Sequence, residues 1–180
     1  MDISLLLRRI RDGDRSAFAE LLAHYQRPLF GYLGRMGLPQ GQAEEVAQEA
    51  FLRVWQSLQS YDSERAQFST WLFTIARHLA INELNRASAA HELSAGDDLP
   101  EAPSEQGQPT QLVMAKQRRT QVQQALRALP NDDRSALALA YFEELDMATI
   151  ARIEGCSVGA IKVRLHRAKQ RLRQLLEGVT

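Results

Sequence analysis

Hydrophobic positions in this chain recur at three- and four-residue intervals along most of its length, and nowhere convincingly in the two-residue alternation of a strand. Val46, Ala50, Phe51, Val54, Trp55 and Leu58 form the clearest early stripe, the pattern of an amphipathic helix with one packed face. Divided at its weak breakers, the first half of the chain predicts helices over 14–36, 40–58 and 67–85. The second half predicts helices over 112–129, 132–143, 147–153 and 158–176, with Pro130 separating the first two. Between these sets, residues 87–115 contain three of the six prolines and no aromatic residue, too little apolar surface to order the segment. At 29 residues the segment is longer than a loop inside a compact domain should be. The expected architecture is therefore all-α, with two small helical domains joined by a flexible linker: an N-terminal bundle over 1–86, an acidic linker over 87–115 and a C-terminal four-helix domain over 116–180.

The strongest local signal lies near the C-terminus. Asp146 can cap a short helix that stops at Glu154-Gly155-Cys156, and Ser157 can then cap a longer one. Two helices joined by a tight turn containing glycine fit a helix-turn-helix, whose second helix enters a DNA major groove. In that helix Val158, Ile161, Leu165, Ala168, Leu172 and Leu175 define the face expected to be buried. Lys162, Val163, His166, Arg167, Lys169, Gln170 and Arg173 then point outward, with Gly159 and Ala160 small enough near the start for close backbone approach. Six basic residues and no acidic one lie between Ser157 and Arg173. Basic residues favour the C-terminal end of a helix dipole, but that effect fades within the last turn, and Lys162 and Arg164 sit near the start. Base-edge contacts from the early residues and phosphate contacts from the later ones explain the pattern better.

Charge adds a second argument. The chain has 180 residues with 22 basic and 22 acidic, so its net charge of zero speaks against a general nucleic-acid binder. The distribution says otherwise: residues 1–86 carry 10 basic and 10 acidic groups, 87–115 none and 5, and 116–180 carry 12 and 7. A neutral module, an acidic linker and a basic module cancel in the total. The single cysteine, Cys156, excludes an internal disulfide and a Cys-rich zinc site, and a reducing cytoplasm suits it. The longest wholly apolar run, Ala136 to Phe142, is far short of the roughly 20 residues that span a bilayer, and the first residues lack a signal-peptide pattern. No membrane-embedded protein is expected.

Ten of the twelve aromatic residues fall in the first module. From Phe68 to Arg86, Phe68, Trp71 and Phe73 interleave with Arg77, His78, Asn82, Asn85 and Arg86. Leu72, Ile75, Leu79 and Trp71 can supply a core stripe. The remaining mixture suits single-stranded nucleic acid, with Phe68 and Phe73 as stacking faces and cations for the backbone. The preceding helix exposes Glu44, Glu45, Gln48 and Glu49, which reads either as a solvated face or as a docking surface for a basic partner.

The order of these features resembles an extracytoplasmic-function (ECF) sigma factor of bacterial RNA polymerase. The resemblance rests on Glu44 to Trp55, Phe68 to Asn82, Ala128-Leu129-Pro130 and Gly155 to Lys169, and covers about residues 8 to 176 apart from the linker. It implies a transcription initiation factor, not an enzyme, that needs no cofactor and no metal. Residues 1–86 would be sigma region 2 and residues 116–180 sigma region 4. Glu44, Glu45, Gln48, Phe51 and Trp55 would contact the clamp helices of the polymerase β′ subunit, and the second module would meet the β flap. Tyr61, Phe68, Ser69, Trp71, Arg77, His78, Asn82 and Arg86 would capture and melt minus-ten promoter DNA. Lys162, Val163, Arg164, His166 and Arg167 would read the minus-thirty-five element. The acidic linker would thread polymerase channels, imitating nucleic acid by its charge. A cognate anti-sigma factor, often membrane-bound, would occlude the polymerase-binding faces.

Four residues depart from the family pattern: Thr149 where Glu is usual, Glu154 where an apolar residue is common, Val163 where a small hydroxyl residue is frequent, and His78 where Asn is frequent. An exposed Val163 suits a thymine methyl. Two other readings compete. An enzyme is disfavoured, since His24, His78, His91 and His166 are scattered, no phosphate-cradling glycine loop occurs, and Cys156 suits a small filler in the turn. A dimeric repressor would use the same DNA-reading end, and it predicts tight binding to a palindrome without polymerase.

Overall fold

The computed structural model describes residues 2–93 and 111–177, with side chains at 2–90 and 117–177. Eight α-helices occur among them: α1 (Ile3–Arg11), α2 (Arg15–Arg35), α3 (Gln40–Ser57), α4 (Phe68–Leu93), α5 (Gln111–Arg127), α6 (Asn131–Tyr141), α7 (Met147–Glu154) and α8 (Val158–Glu177). A single 3-10 turn, Leu58–Ser60, follows α3, and the described residues contain no strand. The fold is all-α, as the periodicity predicts.

Two differences in extent have local causes. The helix α1 is absent from the sequence prediction; nine residues are marginal alone, and α1 persists by burying Leu6, Leu7 and Ile10 beside α2. Asp2 caps it, accepting the Leu5 N–H at 3.1 Å. Asp14 then caps α2 through the N–H groups of Ser16 and Ala17, and hydrogen bonds from the Ser16 hydroxyl and from Arg9 hold its carboxyl down at about 2. At its far end α4 runs through Leu93, so the first residues assigned to the linker continue a helix. Ala87, Ala89 and Ala90 are strong helix formers and no proline intervenes before Pro100. The helix α5 likewise starts at Gln111. Residues 94–110 of the expected linker lie outside the described residues.

Helices α1 to α4 enclose Leu21, Leu29, Leu33, Ala50, Val54 and Leu72, while α5 to α8 enclose Leu139, Ile150, Ile153, Ile161 and Leu165. These two cores are continuous. Tyr32 of α2 is wholly buried, with its hydroxyl 2.8 Å from Ser135 Oγ of α6 and its ring edge-on to Phe73 at 5.5 Å. Burial pushes the Tyr32 ionisation far above the ordinary tyrosine range.

Arg134 of α6 is buried beside it and donates to backbone carbonyls at the ends of two helices: Met36, which closes α2, and Arg127 (2.7 Å) with Leu129 (2.8 Å) at the end of α5. The negative ends of both helix dipoles thus face one guanidinium. Gly37, at φ +92°, lies directly below it; a Cβ there would come within 2.8 Å of Arg134 Nη1, so this position requires glycine on both counts. At the rim, Arg35 lies 3.6 Å from Glu143 and 4.0 Å from the centre of the Phe142 ring.

Candidate nucleic-acid interface

The helix-turn-helix is built as the sequence predicts. Asp146 Oδ1 accepts the N–H groups of Ala148 (2.9 Å) and Thr149 (3.0 Å), and the Thr149 hydroxyl donates to Oδ2 at 2.7 Å. The Thr149 hydroxyl, followed by its N–H, lowers the ionisation of the Asp146 carboxyl. Gly155 ends α7 in the left-handed region at φ +66°, and the Cys156 N–H returns to the Ala151 carbonyl at 3.0 Å. Ser157 Oγ then accepts the Ala160 N–H at 3.1 Å to start α8. Cys156 is half-buried against the core.

On α8 the central stripe Ile161, Leu165 and Ala168 is buried. Its ends are not: Val158 and Leu175 are exposed, beyond the cover of neighbouring helices. Lys162, Val163, His166 and Arg167 face solvent together, Val163 at 66% exposure, and Gly159 and Ala160 are open beside the turn. Lys169 lies over the Tyr141 ring at 4.7 Å.

Arg164 differs from its expected place. Its side chain is 19% exposed and turns inward, with Nη1 2.7 Å from Glu154 Oε2. It sits beside Leu165 at the border of the buried stripe, within reach of a buried carboxylate that attracts it. Asp133, also buried, takes Arg171 at 2.7 Å and Arg167 at 3.3 Å, leaving the Arg167 side chain half-exposed. Acids from α6 and α7 thereby orient three arginines of α8.

In the first module the expected stacking platform is rearranged. Phe68 and Phe73 are each 3% exposed and belong to the core, so neither offers a face to a base. The least buried aromatic of this cluster is instead Trp71, half-buried and stacked on Tyr61 at 4.9 Å, with Phe68 edge-on to both. The Tyr61 hydroxyl donates to the Ala66 carbonyl at 2.8 Å and closes the loop before α4. Arg11 of α1 ties the loop's other end by donating to the carbonyls of Leu58 and Tyr61.

Between α1 and this loop lies a polar cavity of about 490 Å³ whose walls include Arg8, Arg11, Ser63, Gln67 and Ser69. Arg8 and Arg11 were missed by the sequence reasoning because α1 was; Leu6, Leu7 and Ile10 were the available signal. His78, Asn82 and Arg86 are exposed along α4, as expected. Arg77 is not: its side chain is 10% exposed and directed at α6 and α7.

A third surface is apolar. Phe18, Leu22 and Phe30 of α2 and Phe51, Leu52 and Trp55 of α3 line a groove of about 610 Å³. Phe18 and Trp55 pack at 4.7 Å between ring centres, yet Trp55 stays 41% and Leu52 49% exposed. Gln48 borders this groove and Glu44 is exposed one turn before it, while Glu45 shares a cleft with Asn82 and Arg86 of α4. The residues from α2 and Leu52 were not foreseen, because they lie off the stripe of α3. Among the described residues no group of His, Cys, Asp or Glu is placed to hold a metal, and no helix is long and apolar enough to cross a membrane.

Residues 21–90 match Sigma-70 region 2 and residues 119–172 match Sigma-70, region 4. The chain is 31% identical to the ECF RNA polymerase sigma factor SigW of Bacillus subtilis, over 99% of both proteins. It is 34% identical to the ECF RNA polymerase sigma factor RpoE of Cereibacter sphaeroides, over 94% of this chain and 92% of that one. Among solved structures it resembles CnrH in complex with the cytosolic domain of CnrY, with a TM-score of 0.74 and 22% identity over 98% and 97% of the two chains. It also resembles RpoE in complex with the anti-sigma factor NepR from Bartonella quintana, with a TM-score of 0.69 and 24% identity over 89% and 96%. These two likenesses establish the fold.

Proposed function

As a member of the ECF sigma factors of bacterial RNA polymerase, the family to which this chain belongs, it directs core polymerase to promoters and is not an enzyme, and we propose which of its surfaces carry each step. The observation that carries the proposal is the coincidence of an apolar groove on the region 2 match with a cationic helix-turn-helix on the region 4 match.

The groove between α2 and α3, with Gln48, Phe51 and Trp55 on its wall and Glu44 and Glu45 beside it, docks the clamp helices of the β′ subunit. An exposed tryptophan in an apolar groove flanked by acids fits an amphipathic basic helix pair. The second module meets the β flap. On α8, Lys162, Val163, His166 and Arg167 read the minus-thirty-five element, Arg167 by a guanidinium already oriented by Asp133.

Minus-ten DNA engages the loop from Tyr61 to Ser69 and the exposed residues Trp71, His78, Asn82 and Arg86. Flipping a base out costs a few kcal/mol, which stacking on an aromatic face and a fitted polar cavity offset. Arg8 and Arg11 supply that cavity with positive charge. The protein works in the cytoplasm with its polymerase, and an anti-sigma factor that covers the α2–α3 groove restrains it.

Run-off transcription with core polymerase on a promoter library tests this reading. Transcripts from a subset of promoters, only when this protein is added, are expected. Silence on every template, with the free protein protecting a palindrome, would instead select the dimeric repressor.

A further inference from the structure

The loop between α3 and α4 buries little of its own chain. Tyr61 and Phe68 are buried at its two ends, but Asp62, Ser63, Glu64, Arg65 and Gln67 between them are exposed and Ala66 is half-buried. A segment with so few buried contacts takes its conformation from hydrogen bonds. Bonds within it shape a local turn: the Glu64 N–H donates to Asp62 Oδ1 at 2.9 Å, and the Arg65 N–H to the Asp62 carbonyl at 3.2 Å. They do not fix where that turn sits on the body of the protein. Among the described residues, the side chain that reaches the start of the loop from another element is Arg11, the last residue of α1.

Arg11 Nη2 donates to the Tyr61 carbonyl and, at 3.4 Å, to the Leu58 carbonyl. The Leu58 carbonyl also accepts the Tyr61 N–H at 3.2 Å, closing the 3-10 turn after α3, so a cation faces the negative end of that helical run. Tyr61 is thus held at three points: its N–H, its carbonyl, and its hydroxyl on the Ala66 carbonyl. Its ring, fixed in this way, stacks on Trp71 and meets Phe68 edge-on at 5.9 Å. Through Tyr61, one guanidinium on α1 sets both the path of the loop and the support of the Trp71 ring. The helix α1 is a firm base for this, since Leu6, Leu7 and Ile10 are buried beside α2.

We infer that Arg11 is a positioning residue that determines minus-ten specificity, by holding the loop from Tyr61 to Ser69 in the shape that fits one set of bases and rejects others. The inference rests on the assignment of that loop to the minus-ten element. Both acceptors are backbone carbonyls, so the strut is independent of which side chains the loop carries, and a charged donor makes it strong. This duty differs from that of a cation that merely attracts phosphates. Loss of a phosphate contact weakens every sequence alike, whereas a displaced loop loses its preference among bases.

Holoenzyme assembled from core polymerase and the full chain tests the strut, on a transcribed promoter and on variants with single substitutions in the minus-ten or minus-thirty-five element. Arg11→Gln should lower open-complex formation at the parent promoter by about tenfold, the lower end of what a hydrogen bond from a charged group contributes. The poorer minus-ten variants should lose much less, so the spread among them narrows. The spread among minus-thirty-five variants and the affinity for core should stay at parent values, and circular dichroism should show no loss of helix. In the free chain, trypsin should cut after the exposed Arg65 faster with Arg11→Gln, because the loop is released. A minus-ten spread as wide as the parent's, whether or not overall activity falls, or cleavage at the parent rate, overturns the inference. Ser63→Ala with Gln67→Ala, on the wall of the polar cavity, tests the loop assignment itself. A changed spread with this pair but not with Arg11→Gln removes the role of Arg11 alone; an unchanged spread with both takes the loop off the minus-ten element.

Discussion

Arg77 of α4 and Glu154 of α7 meet at 2.9 Å across the boundary of the two modules, the carboxylate fully buried and the guanidinium nearly so. Burial alone would make the Arg77 cation easier to deprotonate; hydrogen bonding to Glu154 reverses that and holds it charged. Removing one partner of an isolated buried pair costs about 3 to 5 kcal/mol. Here the cost is smaller, because Arg164 and Ser135 still hold Glu154 and Asp132 still holds Arg77. Either loss forfeits the 2.9 Å contact, which the second substitution cannot lose again. Arg77→Met, Glu154→Leu and the double variant should therefore show a coupling above about 1.5 kcal/mol in denaturant unfolding. Additive single effects would mean that the two side chains do not interact in solution.

Polymerase docking is assigned to the α2–α3 groove, and Leu52 is its least protected apolar residue. Leu52→Lys leaves the core of α3 intact but places a charge where a partner helix would lie. A loss of about 2 kcal/mol in core binding, roughly thirtyfold in Kd, is expected by titration calorimetry or fluorescence. Glu45→Lys with Gln48→Lys should weaken core binding in the same assay. If all three substitutions leave the affinity unchanged, the groove has another use.

Arg167 carries the clearest minus-thirty-five prediction. Its side chain is half-exposed beside Lys162, Val163 and His166. Arg167→Ala should cost about 1 to 3 kcal/mol at promoters that depend on that element, read as reduced run-off transcription at low protein concentration. Equal transcription by both proteins would take Arg167 off the base edges and leave it to Asp133.

Acid should weaken the start of α2. Asp14 titrates at about 2 in the folded chain against an ordinary value of 3.8, because Ser16 and Arg9 hydrogen-bond its charged form. Its contribution is thus complete above pH 3.8 and is lost as pH falls toward 2. Across that window the parent chain should lose more stability than Asp14→Asn, which still caps but does not titrate, in urea midpoints measured at each pH. Parallel profiles would contradict the assignment.

How legible this was in the sequence depended on whether a residue's neighbours were close along the chain. The caps at Asp146 and Ser157, the left-handed Gly155 and the outward row Lys162, Val163, His166 and Arg167 follow from spacing within one helix pair, and the structure has them. Phe68 and Phe73 went wrong because spacing cannot distinguish an aromatic residue that fills a core from one that faces solvent. Arg77 and Arg164 went wrong for a related reason. Each lies at the edge of a polar face, and each is drawn inward by Glu154, whose position beside them no local pattern reveals. Glu154 itself was visible as a departure from the family, although its partners were not. The helix α1 escaped because nine residues with three apolar anchors carry little periodic signal, and Arg8 and Arg11 were lost with it.

The central claim is that this chain, bound to polymerase, opens promoter DNA with the exposed side of α4. Permanganate reactivity of thymines in the minus-ten region measures that opening directly. Core polymerase with this protein should make those thymines reactive, the protein alone or core alone should not, and His78→Ala with Asn82→Ala and Arg86→Ala should suppress the signal while core binding persists. Unreactive thymines with the parent protein bound to core at a transcribed promoter, or full reactivity with the triple variant, would contradict the account.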